Sequence, residues 1–272
     1  LSARDRWALA SLFSLLNFQM CCFSRPVTSV SRTRIFARFI GRETQSLAYE
    51  MALDTPEDVA MILPLPASQD GRADALAFIN LEGYPTLFRD LERAFPPPPM
   101  ARSFGAVAAP AAQSGTLVVE RVGSFEASYV PTIADFARLD ARFRLPEGTW
   151  DKLPQYRDYA FAVFKLRRGI STVHPMALSF RSALPSTLFF PTVHIHDGQV
   201  HARERFDHVL YAQAWANATL PVNSWQESPG LARATVEVEK AQGLVWPDGH
   251  LYRRQIDGPQ KNQDTLAQAR RL

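Results

Sequence analysis

Asp197-Gly198 sits between two runs rich in β-branched and aromatic residues, within residues 189–208. An Asp-Gly pair in that setting signals a two-residue type I′ turn, which folds a chain back on itself as a hairpin. In that register His196 faces Gln199, and His194 faces His201. Residues two apart on a strand share a face, as do residues opposite each other across the ladder. His194, His196 and His201 are therefore expected on one side of one hairpin.

Much of the remaining chain also reads as β. Twenty prolines against thirteen glycines imply many short elements joined by defined turns. Residues 27–40 and 44–53 read as strands around Gly41-Arg42. Residues 59–65 are almost uninterruptedly apolar, the pattern of a strand covered on both faces, with Pro64 and Pro66 ending it or placing it at an edge. Residues 74–79 and 86–95 read as short helices; Leu87, Leu91 and Phe95 share a face at four-residue steps. Residues 96–115 hold four consecutive prolines and an Ala/Pro/Ser/Gly-rich run, the composition of a linker.

Beyond it, strands are expected at 116–122, 125–130, 159–166, 176–180 and 233–239, and a last hairpin at 244–255 over Asp248-Gly249. A helix is expected after Thr132, which has Asp135 three residues on. Met51-Ala52-Leu53, a run through Pro64 and Asp70-Gly71 echo Met176-Ala177-Leu178, a run through Pro191 and Asp197-Gly198. The expected fold class is α+β: mostly antiparallel sheet in two related β-rich units, with a few short helices. Its divisions are a leader or mis-assigned start at 1–19, units at 20–95 and 116–255, the linker between them, and a polar tail at 256–272 that should fray.

Composition excludes some classes of function. The chain is 46% hydrophobic and 21% charged, so it is not disordered as a whole. Net charge is +3, but Arg25, Arg32, Arg34, Arg38 and Arg42 form no stripe interleaved with aromatics, and nucleic acid is not an expected partner. The sequence points to no other partner. The two cysteines, Cys21 and Cys22, are adjacent, which strains any bridge between them and favours a reducing compartment. Arg4 and Arg6 precede an apolar stretch with the length of a signal-peptide core, yet no Ala-x-Ala-like site follows. The expectation is cytoplasmic if Met20 is the start, and exported if residues 1–19 act as a signal. No transmembrane segment is expected in the mature domain.

Tyr49-Glu50-Met51-Ala52-Leu53-Asp54-Thr55-Pro56-Glu57-Asp58-Val59-Ala60-Met61-Ile62-Leu63-Pro64-Leu65-Pro66 resembles a bacterial family known as domain of unknown function 2330. Its members carry a Cys-rich start, a tyrosine strand, then Pro/Ala-Glu-Asp-Phe-Ala-Trp-Val-Val-Pro-Val-Pro. Pro56-Glu57-Asp58, Ala60 and Pro64-Leu65-Pro66 match, whereas Val59 and Met61 stand where aromatics are usual. Val122-Gly123-Ser124-Phe125-Glu126-Ala127, Leu145-Pro146-Glu147, Tyr156, the run from Phe161 to Leu166 and Pro175 follow in similar order. The likeness spans about residues 21–195. It implies a bacterial protein, often exported, and brings no catalytic residues. The histidine stretch is not part of the family's pattern.

Three imidazoles aimed at one point suit zinc, copper or iron, and leave a position open for water or substrate. His194, His196 and His201 are the expected ligands; Glu204, His208, Cys21 and Cys22 are placed to add another. The plainer alternative is a β-rich binding or scaffold domain whose histidines are wet or hydrogen-bonded. A third reading makes Cys21 an N-terminal nucleophile with Arg38 nearby. That arrangement resembles the start of the choloylglycine hydrolases, but Phe39-Ile40-Gly41 replace the Asn-x-Asp usual beside the arginine.

Overall fold

Strand β3 (Thr44–Thr55) alternates Leu47, Tyr49, Met51 and Leu53 with Ser46, Ala48 and Glu50, and nearly all are buried. The first set packs into one core and Ala48 into another, so the sheet that holds β3 is covered on both faces. This computed structural model describes residues 22–41, 43–68, 75–96, 126–195 and 199–271.

β3 lies inside a seven-stranded sheet. Its order is β12 (Gln226–Leu231), β13 (His250–Lys261), β10 (Arg203–Gln213), β2 (Ser29–Ile40), β3, β8 (Gly169–Arg181) and β5 (Leu76–Ile79). Neighbours run antiparallel except β10 and β2, which are parallel. A four-stranded antiparallel sheet has the order β1 (Cys22–Phe23), β4 (Val59–Leu65), β7 (Ala160–Leu166), β6 (Glu126–Val130). Two short ribbons pair β9 (Thr187–Phe190) with β14 (Thr265–Gln268), and β11 (Ala218–Thr219) with β15 (Arg270–Arg271).

The layers follow from strand alternation. Between the sheets, Ile35, Leu47, Tyr49 and Leu178 meet Met61, Leu63, Ala162 and Phe164. On the outer face of the large sheet, Phe36, Ala48 and Tyr211 meet helix α1 (Leu87–Arg93) through Leu87, Phe88 and Leu91. On the outer face of the small sheet, Ile62, Phe161 and Val163 lie under Phe136, Leu153 and Tyr156 from a run of 3-10 turns. Each of the Val, Leu, Ile, Met and Phe side chains among them, when fully buried, contributes roughly 1.5–3 kcal/mol. β4 is buried at every position, as its sequence implied, and Pro64 falls past the end of β1.

The α+β expectation does not stand: about half of the described residues are strand and about 12% helical. Residues 76–79, read as helix, are strand β5. Thr132 starts only a 3-10 turn; its hydroxyl donates to the Asp135 carboxylate at 2.8 Å instead of capping a helix. Nor are there two units in sequence order. β1 and β4 pair with β6 and β7, while β2, β3 and β5 share a sheet with β8, β10, β12 and β13, so both sheets interleave the two halves. Residues 233–239 form no strand, because Ala232 and Val236 reach the outer core at four-residue spacing. The tail is ordered into strands to residue 261, then 265–268 and 270–271. Its polar side chains find partners far back in the sequence.

Candidate functional site

The two arms of the histidine stretch pair elsewhere, not with each other. β9 takes β14, and β10 is flanked by β13 and β2. His196 and the Asp197-Gly198 turn lie outside the described residues. Between the arms, the Phe23 N–H donates to the Ile195 carbonyl at 2.8 Å, tying this segment to β1. Asn262, from the tail, holds it from another direction. Its Oδ1 accepts the His194 N–H at 2.8 Å, and its Nδ2 donates to the carbonyls of His194 at 2.9 Å and His201 at 3.0 Å.

The structure brings His194 and His208 together. Phe206, His208, Leu210 and Ala212 alternate onto the inner face of β10. The buried His194 ring stacks on Phe206 at 4.2 Å and on His208 at 5.1 Å, with 21° between the two imidazole planes. Neither ring nitrogen of His208 hydrogen-bonds a described group. Burial pushes its pKa down to about 3. His201 is exposed and Glu204 half-buried on the inner face of β10. Stacked imidazoles direct their in-plane lone pairs side by side, not at one point. Among the described residues no three His, Cys, Asp or Glu side chains converge as metal ligands.

Cys22 and Arg38 sit in different layers. The Cys22 thiol donates to the Val193 carbonyl at 3.7 Å and packs with Val193, Ile195 and Tyr156 outside the small sheet. His194 points the other way, towards β10. Cys21 lies outside the described residues. Arg38 is on the outer face of the large sheet and donates to the carbonyls of Gly243 at 3.3 Å and Leu244 at 3.4 Å; burial lowers its pKa. Both sheets stand between it and Cys22.

Sequence reasoning missed a buried carboxyl in the tail. Asp264 accepts the Tyr156 O–H at 2.6 Å, the Thr192 N–H at 2.9 Å and the Val193 N–H at 3.2 Å. Burial raises its pKa to about 6 and also raises that of Tyr156. With Asn262 it seals the side of the sandwich next to β1 and β10. No local signal marks either residue, since both sit in a polar run.

Among the described residues, nothing spans the side between β5 and β6. β5 covers β8 only from Ala177 to Phe180. Where it leaves, a groove of about 360 Å³ is lined by Phe78, Ala127, Phe164, Met176, His174 and Glu82, among others. Phe78, Ala127 and Phe164 belong to the inner faces of their strands, as their cross-strand partners show. Phe78 meets Phe164 edge-on at 5.5 Å, yet stays 40% exposed. Tyr129 on β6 is exposed as well. The signal was present: Leu76-Ala77-Phe78-Ile79 is an apolar run of strand length, too short for a helix.

No family model and no curated protein matches the chain. Among solved structures, the crystal structure of baculovirus P35 aligns with 88% of this chain and 96% of its own at 14% identity, TM-score 0.49. A mutated baculovirus P35 after caspase cleavage aligns over 88% and 99% at 13% identity, TM-score 0.47. A chain of the crystal structure of the caspase-8/P35 complex aligns over 88% and 96% at 11% identity, TM-score 0.44. Among the described residues, no helix is long and apolar enough to cross a membrane.

Proposed function

We propose that this chain is a non-catalytic binding domain, and that its binding surface is the groove between β5, β8 and β6. One observation carries the reading: Phe78, an inner-face aromatic, remains 40% exposed beside an apolar groove, while Leu178 opposite it is buried. An aromatic left open in a concave apolar site is where a partner's side chain gains most from leaving water. The neutral dye N-phenyl-1-naphthylamine tests this by its fluorescence. It should enter the wild-type groove, enter Phe78→Ala more weakly, and be shut out by Ala127→Trp, with folding checked by circular dichroism. Uptake unaffected by Ala127→Trp would remove the groove as the binding surface.

A second reading keeps a transition metal, zinc, copper or iron, on the histidines. It is supported by the meeting of the His194 and His208 rings, and by the ring nitrogens of His208, which hydrogen-bond no described group. One ring would have to turn out of the stack to share an ion. Metal analysis of purified protein decides it: a bound ion should be retained by the wild type and lost from both His194→Ala and His208→Ala.

A further inference from the structure

One row of the large sheet carries polar side chains across its outer face. Arg38 on β2 lies opposite Ser46 on β3, and Ser46 lies opposite Ser179 on β8. Their chain neighbours Phe39, Leu47, Leu178 and Phe180 fill the core between the sheets, so all three point outward. Residues opposite each other across a ladder stand about 5 Å apart at Cβ. In the next row of the same face, Phe36, Ala48 and Ala177 are apolar and buried. Core packing therefore gives no reason for the polar row.

The row is short of partners. Ser46 is fully buried, and its hydroxyl hydrogen-bonds no described group. Arg38 is half-buried and meets no carboxylate among the described residues. Its bonds to the carbonyls of Gly243 and Leu244 both leave from Nη1, and at 3.3 and 3.4 Å they are long for a charged donor. Burial alone acts on its pKa, and no anion offsets it. Glu43, at the start of β3, is ion-paired with Arg181 at 2.7 Å. A positive charge drawn partly out of water without a counter-charge is costly, and an anion relieves that cost.

We infer that this row binds a small organic monocarboxylate. Arg38 donates to it through the nitrogens that the two carbonyls do not use, and the hydroxyls of Ser46 and Ser179 donate beside it. One guanidinium with two neutral hydroxyls balances a single negative charge. A phosphate would bring nearly two and leave the surplus half-buried. Arg38 and Ser179 are only half-buried, so the row is reached from solvent. Ile40, next on the same face of β2 and 37% exposed, meets the apolar body of the ligand. This site and the groove beside Phe78 stand or fall separately.

The probe is 4-fluorobenzoate, followed by its fluorine NMR line width in a buffer without carboxylates or phosphate. It should bind about tenfold more tightly than 4-fluorobenzamide, its neutral isostere, as for hydrogen bonds to a charged group. Arg38→Met, which keeps the apolar stem, should weaken the acid about tenfold or more, and Ser46→Ala roughly three- to tenfold. Circular dichroism reports whether each variant folds. Inorganic phosphate should displace the probe poorly, and unlabelled benzoate should displace it well. Equal binding of acid and amide overturns the proposal on the wild type alone, so a misfolded Arg38→Met does not protect it. Affinity unchanged in Ser46→Ala places the acid elsewhere and overturns it too. Displacement by phosphate as readily as by benzoate overturns the choice of a monocarboxylate, and absence of any binding overturns the site outright.

Discussion

The two sides of the sandwich are finished by different means. Beside β1 and β10, the segment around His194 closes the gap, and the tail fixes it with the side chains of Asn262 and Asp264. Beside β5 and β6, the edge strands are four and five residues long, and nothing described spans the gap between them. Both sides have apolar inner faces. Apolar faces alone do not close a sandwich, because the backbone at its rim still needs hydrogen-bond partners. The sealed side obtains them from an amide and a carboxyl.

The largest expected difference lies in the core rings. Phe190 is fully buried, with its ring centroid 5.6 Å from that of Trp225, so Phe190→Ala should cost about 3–5 kcal/mol in urea unfolding. A loss as small as that of the exposed Phe78 would mean the sealed side is not a packed core. Next comes the amide. Asn262→Ala removes three hydrogen bonds and should cost about 2–3 kcal/mol, with faster exchange at the His194 amide. A change within about 0.5 kcal/mol would show that apolar contact alone does the sealing.

The pH profile sharpens the comparison further. His208 is protonated in the unfolded chain below about pH 6.5, but in the fold only near pH 3. The unfolded state therefore takes up the proton first, and His208 lowers stability as pH falls through that window, tenfold in the folding constant per unit. Asp264 acts in the opposite sense: folded, it keeps its proton up to about pH 6, whereas unfolded it releases it near pH 4. Its contribution is present at low pH and lost as pH rises from about 4 to 6. The two should nearly cancel between those values, leaving the wild type flat. Asp264→Asn should then lose stability steadily below about pH 6, and His208→Phe should gain it. Unfolding measured at half-unit steps with a chelator present checks this; three parallel curves would contradict it.

The smallest effect belongs to the open side. Phe78→Ala should cost about 1 kcal/mol or less, because much of the ring already meets water. A loss above about 2 kcal/mol would mean that Phe78 holds the sheets together and is not held out for a partner.

What could be read from the sequence was whatever local pattern decides. β4 was legible because both its faces are apolar, and α1 because Leu87 and Leu91 keep helical spacing. β5 is an apolar run of only four residues, so only its length, and not its period, separates strand from helix. Asp197-Gly198 is a local turn signal, but β10 pairs with β13 over ten residues and with β2 over five, more than a single hairpin partner would supply. Hence His208 entered the sequence reading only as a spare ligand, while the fold makes it the neighbour of His194. Asn262 and Asp264 were invisible because their partners lie some 70 residues away.

The parallel pairing of residues 34–38 with 209–213 has a consequence for how the protein is made. While a ribosome is still translating the middle of the message, β2 and β3 have already emerged, with one flank of their hairpin bare. That flank waits for roughly 155 further residues, from Thr55 to Val209–Gln213, before β10 arrives to cover it, so nascent chains arrested earlier should remain open to proteases and bound by holding chaperones.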